Sequence, residues 1–288
     1  MPYFYNLKDK VIKSNLDLNL TESLRHDDIL FTINFLYKKP PLKSSSNNPI
    51  FVNNKIYFTL HNDLHFEINK NTINCYCKEE HMHKAKHSVL GLPFGFLMHQ
   101  KNYFVLHASA LSIGNKGVLF IGPSGSGKSS ICAGLIQKGL NFISDDITII
   151  NNSLKLESCI NSLDISKEIL AINNKINILK KTDLNDDRDR ISLLIENNLE
   201  HKVTISKIYF LNWSDKIEIS KSQFISNFKK IFTNSFRSID DGNFNMQRSD
   251  MKNILNISRN VECYNFFLKK DLYNYHQNID YLIKHIQK

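Results

Sequence analysis

Eight residues, GPSGSGKS at 122–129, carry the pattern G-x-x-x-x-G-K-[ST], with Gly122, Gly127, Lys128 and Ser129 in its fixed places. The chemistry that wants this pattern is the holding of a polyphosphate. Phosphate oxygens need clustered backbone N–H donors, a cation and a small hydroxyl to share a magnesium ion. Glycines let the chain curl into such a nest, and a following helix aims its positive N-terminal end at the same point. Lys128 is expected on the β- and γ-phosphates and Ser129 on Mg²⁺. The candidate nucleotide-binding set is therefore Gly122, Pro123, Ser124, Gly125, Ser126, Gly127, Lys128, Ser129 and Ser130.

A second pair of reactive groups follows closely. Asp145 and Asp146 interrupt NFISDDITII (141–150), a stretch that otherwise reads as a buried strand, and Asp145 lies 17 positions after Lys128. An unpaired carboxylate in an apolar strand is costly. In a regular strand neighbouring side chains face opposite sides, so one aspartate alone would reach the phosphates. If the strand ends or bulges there, both converge. Phosphoryl transfer to a hydroxyl uses a metal-associated carboxylate and a carboxylate that takes the acceptor's proton.

The elements that must position these groups are legible around them. GVLFI (117–121) reads as an apolar strand, the loop follows, and SSICAGLIQKG reads as a helix stopped by Gly139. One helix and one turn before NFISDDITII predict that this second strand lies beside the first. The unit is of α/β type. Upstream, YFVLHASALSI (103–113) reads as one strand and LGLPFGFLMHQKN (90–102) as a short helix. FTINFLY, KIYFTL, LHFEI and TINCYC make residues 1–90 a β-rich N-terminal region, with a loop at KKPPLKSSSNNP (38–49), and residues 91–288 the phosphate-loop domain. Further on, helices are expected over 165–181, 221–236 and 271–288, a strand at TISKIYFLNW, and an exposed charged turn at LNDDRDR (184–190).

The order HASAL (107–111), GVLFIGPSGSGKSS (117–130) and ISDD (143–146) resembles the HPr kinase/phosphorylase family and its HPr-kinase-like relatives, chiefly over residues 103–150. The resemblance implies a phosphate-loop core similar to that of phosphoenolpyruvate carboxykinase. It implies ATP and Mg²⁺ as cofactors, Lys128 as the phosphate-binding lysine and Ser129 as a magnesium ligand. It further implies His107 as an active-site histidine, Asp146 as proton acceptor and Asp145 beside the metal. The family's later active-site arginine would correspond to Arg237 or Arg259. Its second metal-binding carboxylate has Glu157, Asp164 and Glu168 as candidates. The activity implied is an ATP-dependent serine kinase acting on a peptide or protein, tailoring kinases of ribosomal peptides among the relatives. A kinase for a small hydroxyl-bearing molecule and a non-catalytic nucleotide-binding scaffold are the competing readings.

Composition bounds the rest. The 288 residues are 42% hydrophobic, enough for a sizeable core. No apolar run approaches a membrane span and the N-terminus lacks a signal-peptide core, so the expectation is a cytoplasmic protein without a membrane partner. The net charge of +9 comes from lysines scattered among Asn and Ile, which argues against nucleic acid; a homo-oligomer is left open. Five cysteines form no regular framework and are expected as free thiols. CYCKEEHMHKAKH (75–87) gathers Cys75, Cys77, His81, His83 and His87, either a metal-ligand cluster or a strand leading into a polar His/Lys loop.

Overall fold

A computed structural model describes residues 1–7, 10–42, 49–151, 153–157, 160–196, 203–236, 238–240, 243–245 and 248–288. The chain divides into two compact units. One comprises Met1–Val105 with Phe236–Arg248, the other Leu106–Ser235 with Ser249–Lys288.

The first unit is built on seven strands: β1 (Tyr3–Leu7), β2 (Lys10–Ser14), β3 (Ile29–Leu36), β4 (Ile50–Val52), β5 (Lys55–Leu60), β6 (Leu64–Asn69) and β7 (Thr72–Tyr76). They form one sheet of order β1-β2-β3-β7-β6-β5-β4. The alternating runs of the sequence become strands because one face carries Phe31, Ile33, Phe35, Phe66 and Ile73, all buried. Buried Glu67 is answered by Lys55 at 2.7 Å and the Tyr76 hydroxyl at 3.0 Å. The expected His/Lys loop is instead a 3-10 turn and helix α1 (Met82–Ser88); helix α2 (Leu92–Gln100) follows, with Pro93 in its first turn. The expected loop at 38–49 lies partly on residues 43–48, outside the described residues. A short hairpin, β19 (Ser238–Asp240) with β20 (Asn243–Asn245), also belongs to this unit.

The second unit holds the phosphate-loop segment. After β8 (Phe104–His107) come β9 (Ser109–Ile113), β10 (Lys116–Ile121), α3 (Lys128–Gln137), β11 (Asn141–Ser144), β12 (Ile147–Ile150) and β13 (Lys155–Glu157). A small sheet of β14 (Ser162–Ser166), β16 (Arg190–Ile195) and β15 (Ile178–Asp183) carries helix α4 (Lys167–Ile172). Then follow β17 (Val203–Trp213), β18 (Glu218–Lys221), α5 (Phe224–Thr233), α6 (Arg248–Asn260), β21 (Glu262–Leu268) and α7 (Tyr275–Ile286). The architecture is α/β: β10, β17 and β21 run parallel, with β9 antiparallel on the outer side of β10. No described helix is long and apolar enough to cross a membrane.

In the second unit three further expectations change. β11 does not lie beside β10, because β9 pairs with both and separates them. Residues 103–113 form two strands that break at Ala108. The helix expected over 165–181 stops at Ile172, where the Asn173 amide turns back to the Ile169 carbonyl and also bonds the Tyr275 hydroxyl; β15 then pairs with β16.

Helix α3 is sandwiched between the sheet and α7 by Ile131, Leu135, Leu211, Phe266, Ile279 and Leu282, all buried. The two helices touch at Gly134, where an added Cβ would come 2.5 Å from Ile279 Cδ1 and 2.7 Å from the Tyr275 hydroxyl. Tyr275 in turn donates to the Ser130 carbonyl at 2.7 Å, so this contact sets the height of the first turn of α3. Gly134→Val should cost about 1–3 kcal/mol of stability by overpacking, read as a lower chemical-denaturation midpoint; an unchanged midpoint would refute this packing account.

Candidate functional site

Two strand breaks at the same level create the site. The chain leaves β8 at His107 and re-enters β9 at Ser109; it leaves β11 at Ser144 and re-enters β12 at Ile147. Asp146 takes a left-handed conformation, φ 59°, and the Ile147 N–H turns back to the Asp145 carbonyl at 2.7 Å. The breaks are joined by hydroxyls. Thr148 Oγ1 donates to the Ala108 carbonyl at 2.8 Å, and Ser144 Oγ shares a hydrogen bond with Thr148 Oγ1 at 2.9 Å, all buried. Here the strand ends rather than staying regular: Asp145 meets Ser129 of the loop, and Asp146 adjoins His107, which contacts Lys128.

Asp145 sits against the start of α3. Ser109 Oγ donates to its Oδ1 at 2.5 Å, the Ser129 hydroxyl also bonds it, and the Asp164 N–H approaches Oδ2 at 3.4 Å. Burial, with the charges of Asp146 and Asp164 adding to it, pushes this carboxyl up to about 7, against the hydrogen bonds of Ser109 and Ser129. On the other side of the break, His107 Nδ1 meets the Asp146 carbonyl at 3.1 Å and Nε2 meets Lys128 Nζ at 3.2 Å. A carbonyl only accepts and an ammonium only donates, so the ring is neutral with its proton on Nδ1. Burial and then the Lys128 charge lower the histidine's pKa, consistent with that form. Among the described residues nothing donates a hydrogen bond to the Asp146 carboxylate.

The loop itself has the form a phosphate needs. Gly125 and Gly127 have φ of 80° and 91°, a region closed to most other residues, and a Cβ at Gly125 would meet no described atom within 4 Å. Among the described residues no side chain caps the N-terminus of α3. Lys128 is only 5% exposed, yet its ammonium is held by the carbonyls of Gly122 at 2.9 Å and Pro123 at 3.4 Å besides His107. Ser126 Oγ is buried without a partner among the described residues. Uncapped amides, an orphaned hydroxyl and a cation resting on carbonyls form a donor set that fits a phosphate chain. The Ser129 hydroxyl touching Asp145 is likewise a donor set that fits Mg²⁺.

Residues 99–202 match the HPr Serine kinase C-terminal domain. That segment is HPr-kinase-like, and it spans the loop, both breaks and the small β14–β16–β15 sheet. The chain is also similar to the HPr(Ser) kinase/phosphatase of Coxiella burnetii, with 14% identity over 64% of this chain and 95% of that one, at a TM-score of 0.31. No curated protein sequence matches the chain.

Some residues fall elsewhere. Arg259 lies over the Phe224 ring, 5.5 Å from its centroid, and Arg237 is outside the described residues. Asp164 reaches Asp145 through its backbone, whereas the Glu157 carboxylate accepts from the Asn151 amide at 2.7 Å. Cys75 and Cys77 are buried in the first unit, and His81 pairs with Glu80 and Asp63. Among the described residues no three metal-ligating side chains converge. Cys132 and Cys263 are also free and buried; Cys159 is outside the described residues.

The site includes one residue from the charged turn at 184–190, which the sequence offers only as an exposed connection. Arg188 Nη1 comes within 3.5 Å of Ser124 Oγ on the loop. The turn is built to present it, since the Asp186 carboxylate accepts from the backbone N–H of Arg188 and Arg190 and ties down the Arg190 guanidinium at 2.7 Å. Nothing in LNDDRDR says which of its charges Asp186 will take and which it will leave.

Two outcomes test this geometry. Thr148→Val keeps the shape but leaves the Ala108 carbonyl without its donor, and should cost about 1–3 kcal/mol in denaturant unfolding; a neutral substitution would mean the hydroxyls do not join the breaks. Asp145 has a folded-state pKa above its unfolded one, so its contribution is present below about 4 and lost as pH rises through about 7. In EDTA, Asp145→Asn should therefore raise Tm relative to the parent more at pH 8 than at pH 5. A difference that does not grow with pH would contradict the buried-carboxyl reading.

Proposed function

We propose that the chain is an ATP-dependent phosphotransferase of the HPr-kinase-like type, which passes the γ-phosphate to a serine or similar hydroxyl of a peptide or protein. The observation that carries this reading is the pairing of roles across the strand break. Asp145 faces the loop serine, while Asp146 offers a carboxylate to which no described group donates, beside a neutral histidine and the loop lysine. The match of residues 99–202 to the HPr Serine kinase C-terminal domain supports a serine acceptor.

In this reading the loop amides and Lys128 hold the terminal phosphates. Lys128 exchanges its carbonyl contacts for phosphate oxygens, a stronger charge-assisted interaction. Ser129 and Asp145 would hold Mg²⁺, which supplies neutralising charge for the phosphates. The acceptor O–H approaches the γ-phosphorus, its proton passes to Asp146, the new P–O bond forms and ADP departs. His107 stays neutral, bonded to the Asp146 carbonyl, and so fixes the turn that aims Asp146. The domain division into a β-rich region over 1–90 and a phosphate-loop domain over 91–288 belongs to the same proposal.

Asp146→Asn tests the assignment. With γ-labelled ATP, Mg²⁺ and serine-containing peptides, transfer should fall by about 10²-fold or more, while Mg-ATP binding by calorimetry stays near the parent's. Undiminished transfer would remove Asp146 from the base role, and labelling of metabolites but no peptide would move the acceptor to the small-molecule class.

A further inference from the structure

Trp213 is the chain's one tryptophan. It is 41% exposed, an unusual position for the largest apolar side chain. It closes β17, the parallel neighbour of β10, and Phe210 of β17 is level with Ile121, the last residue before the phosphate loop. Trp213 therefore stands three residues further along, at the C-terminal rim of the parallel strands, where open α/β sheets take their ligands. The indole is fixed there. Its Nε1–H donates to the Gly125 carbonyl at 3.2 Å, and its six-membered ring lies against Gly127, where an added Cβ would come 3.2 Å from Cη2.

The polarity of the loop says which end of a nucleotide reaches this ring. Lys128 Nζ sits by the carbonyls of Gly122 and Pro123, so the terminal phosphates belong at the start of the loop. The nucleoside then leaves from the other end, past Gly127 and the first turn of α3, which is the side Trp213 borders. An anchored aromatic face open to solvent at that exit is a stacking platform for a flat heterocycle.

We propose that Trp213 is the base-binding wall of the site, holding the purine of a nucleoside triphosphate by stacking. This rests on the nucleotide reading above and adds the part of the site that residues 99–202 do not contain. Stacking carries no hydrogen-bond readout, so the ring contributes affinity for the base without choosing among purines.

The alternative role is a brace, in which Trp213 merely steadies the loop. The two separate when a ligand with a base is compared with one without. Full-length parent, Trp213→Leu and Trp213→Phe would be titrated by calorimetry with Mg-ATP and with Mg-tripolyphosphate. Leu keeps apolar packing on Gly127 without a ring face; Phe keeps the ring but loses the N–H bond to Gly125. Trp213→Leu should weaken Mg-ATP about tenfold and leave tripolyphosphate unchanged, Trp213→Phe should stay near the parent for both, and parental tryptophan fluorescence should respond to Mg-ATP alone. Equal weakening of both ligands in Trp213→Leu, or no weakening of Mg-ATP, would overturn the proposal. A parent that binds neither ligand would instead overturn the nucleotide reading itself.

Discussion

Thr148 donates its hydroxyl to the carbonyl of Ala108, and Ser144 completes a buried chain of polar atoms between two interrupted strands. A backbone carbonyl exposed by a strand break inside a core costs as much as a lost hydrogen bond unless something answers it. One threonine answers it, and thereby ties the break after His107 to the break after Ser144. The consequence is geometric. His107 and Ser109 straddle one interruption, Asp145 and Asp146 fill the other, and each member of one pair meets a member of the other, His107 at the Asp146 carbonyl and Ser109 at the Asp145 carboxyl. Without the paired breaks, alternation along a strand would send the two aspartates to opposite faces.

The same arrangement explains why unfavourable groups are tolerated. Asp145 is a carboxyl that burial and two neighbouring carboxylates push up, and Lys128 is a nearly buried ammonium whose partners are two carbonyls and an imidazole. Each is undercompensated by the protein alone. Asp145 meets the start of α3 through Ser129, and Lys128 meets His107, which holds the Asp146 carbonyl. Such a site stores its electrostatic cost where a polyanion and a divalent cation would relieve it, which is the usual relation between perturbed titratable groups and function.

Much of this could be read from residue order. Gly122, Gly127, Lys128 and Ser129 announce the loop because backbone conformation and charge placement demand those types at that spacing, and helix α3 follows the loop directly. Of the seven strands in the sheet of the first unit, β3, β5, β6 and β7 were legible from alternation, whereas β1, β2 and β4 were not. What could not be read were the decisions made by pairing. Nothing in GVLFI or NFIS says that β9 will slip between them, since β9 comes earlier in the chain and its insertion is a tertiary choice. The run 165–181 has helical spacing throughout, yet Asn173 finds the Ile169 carbonyl and the Tyr275 hydroxyl, over a hundred residues away, and the segment beyond it finds β16. Local propensity loses to such long-range partners routinely. Arg188 was hidden for the same reason, as a turn composed of charges gives no sign of which charge is left over.

A loop of glycines is also a loop with little stiffness of its own, because each glycine surrenders more backbone freedom than any other residue when it is fixed. Its shape must then be set from outside. Here the supports come from segments distant in the chain: the Trp213 indole on Gly125 and Gly127, the Arg188 guanidinium by Ser124, and the Tyr275 hydroxyl on the Ser130 carbonyl. They fall at the middle, the beginning and the end of the loop. Each support is polar and directed, so each fixes an orientation as well as a position. Two of the three, Arg188 and Trp213, are also exposed on the loop's open side, where they can change partners when a ligand arrives. The contacts that hold an otherwise soft loop in shape are thus supplied by the same side chains that border its surface.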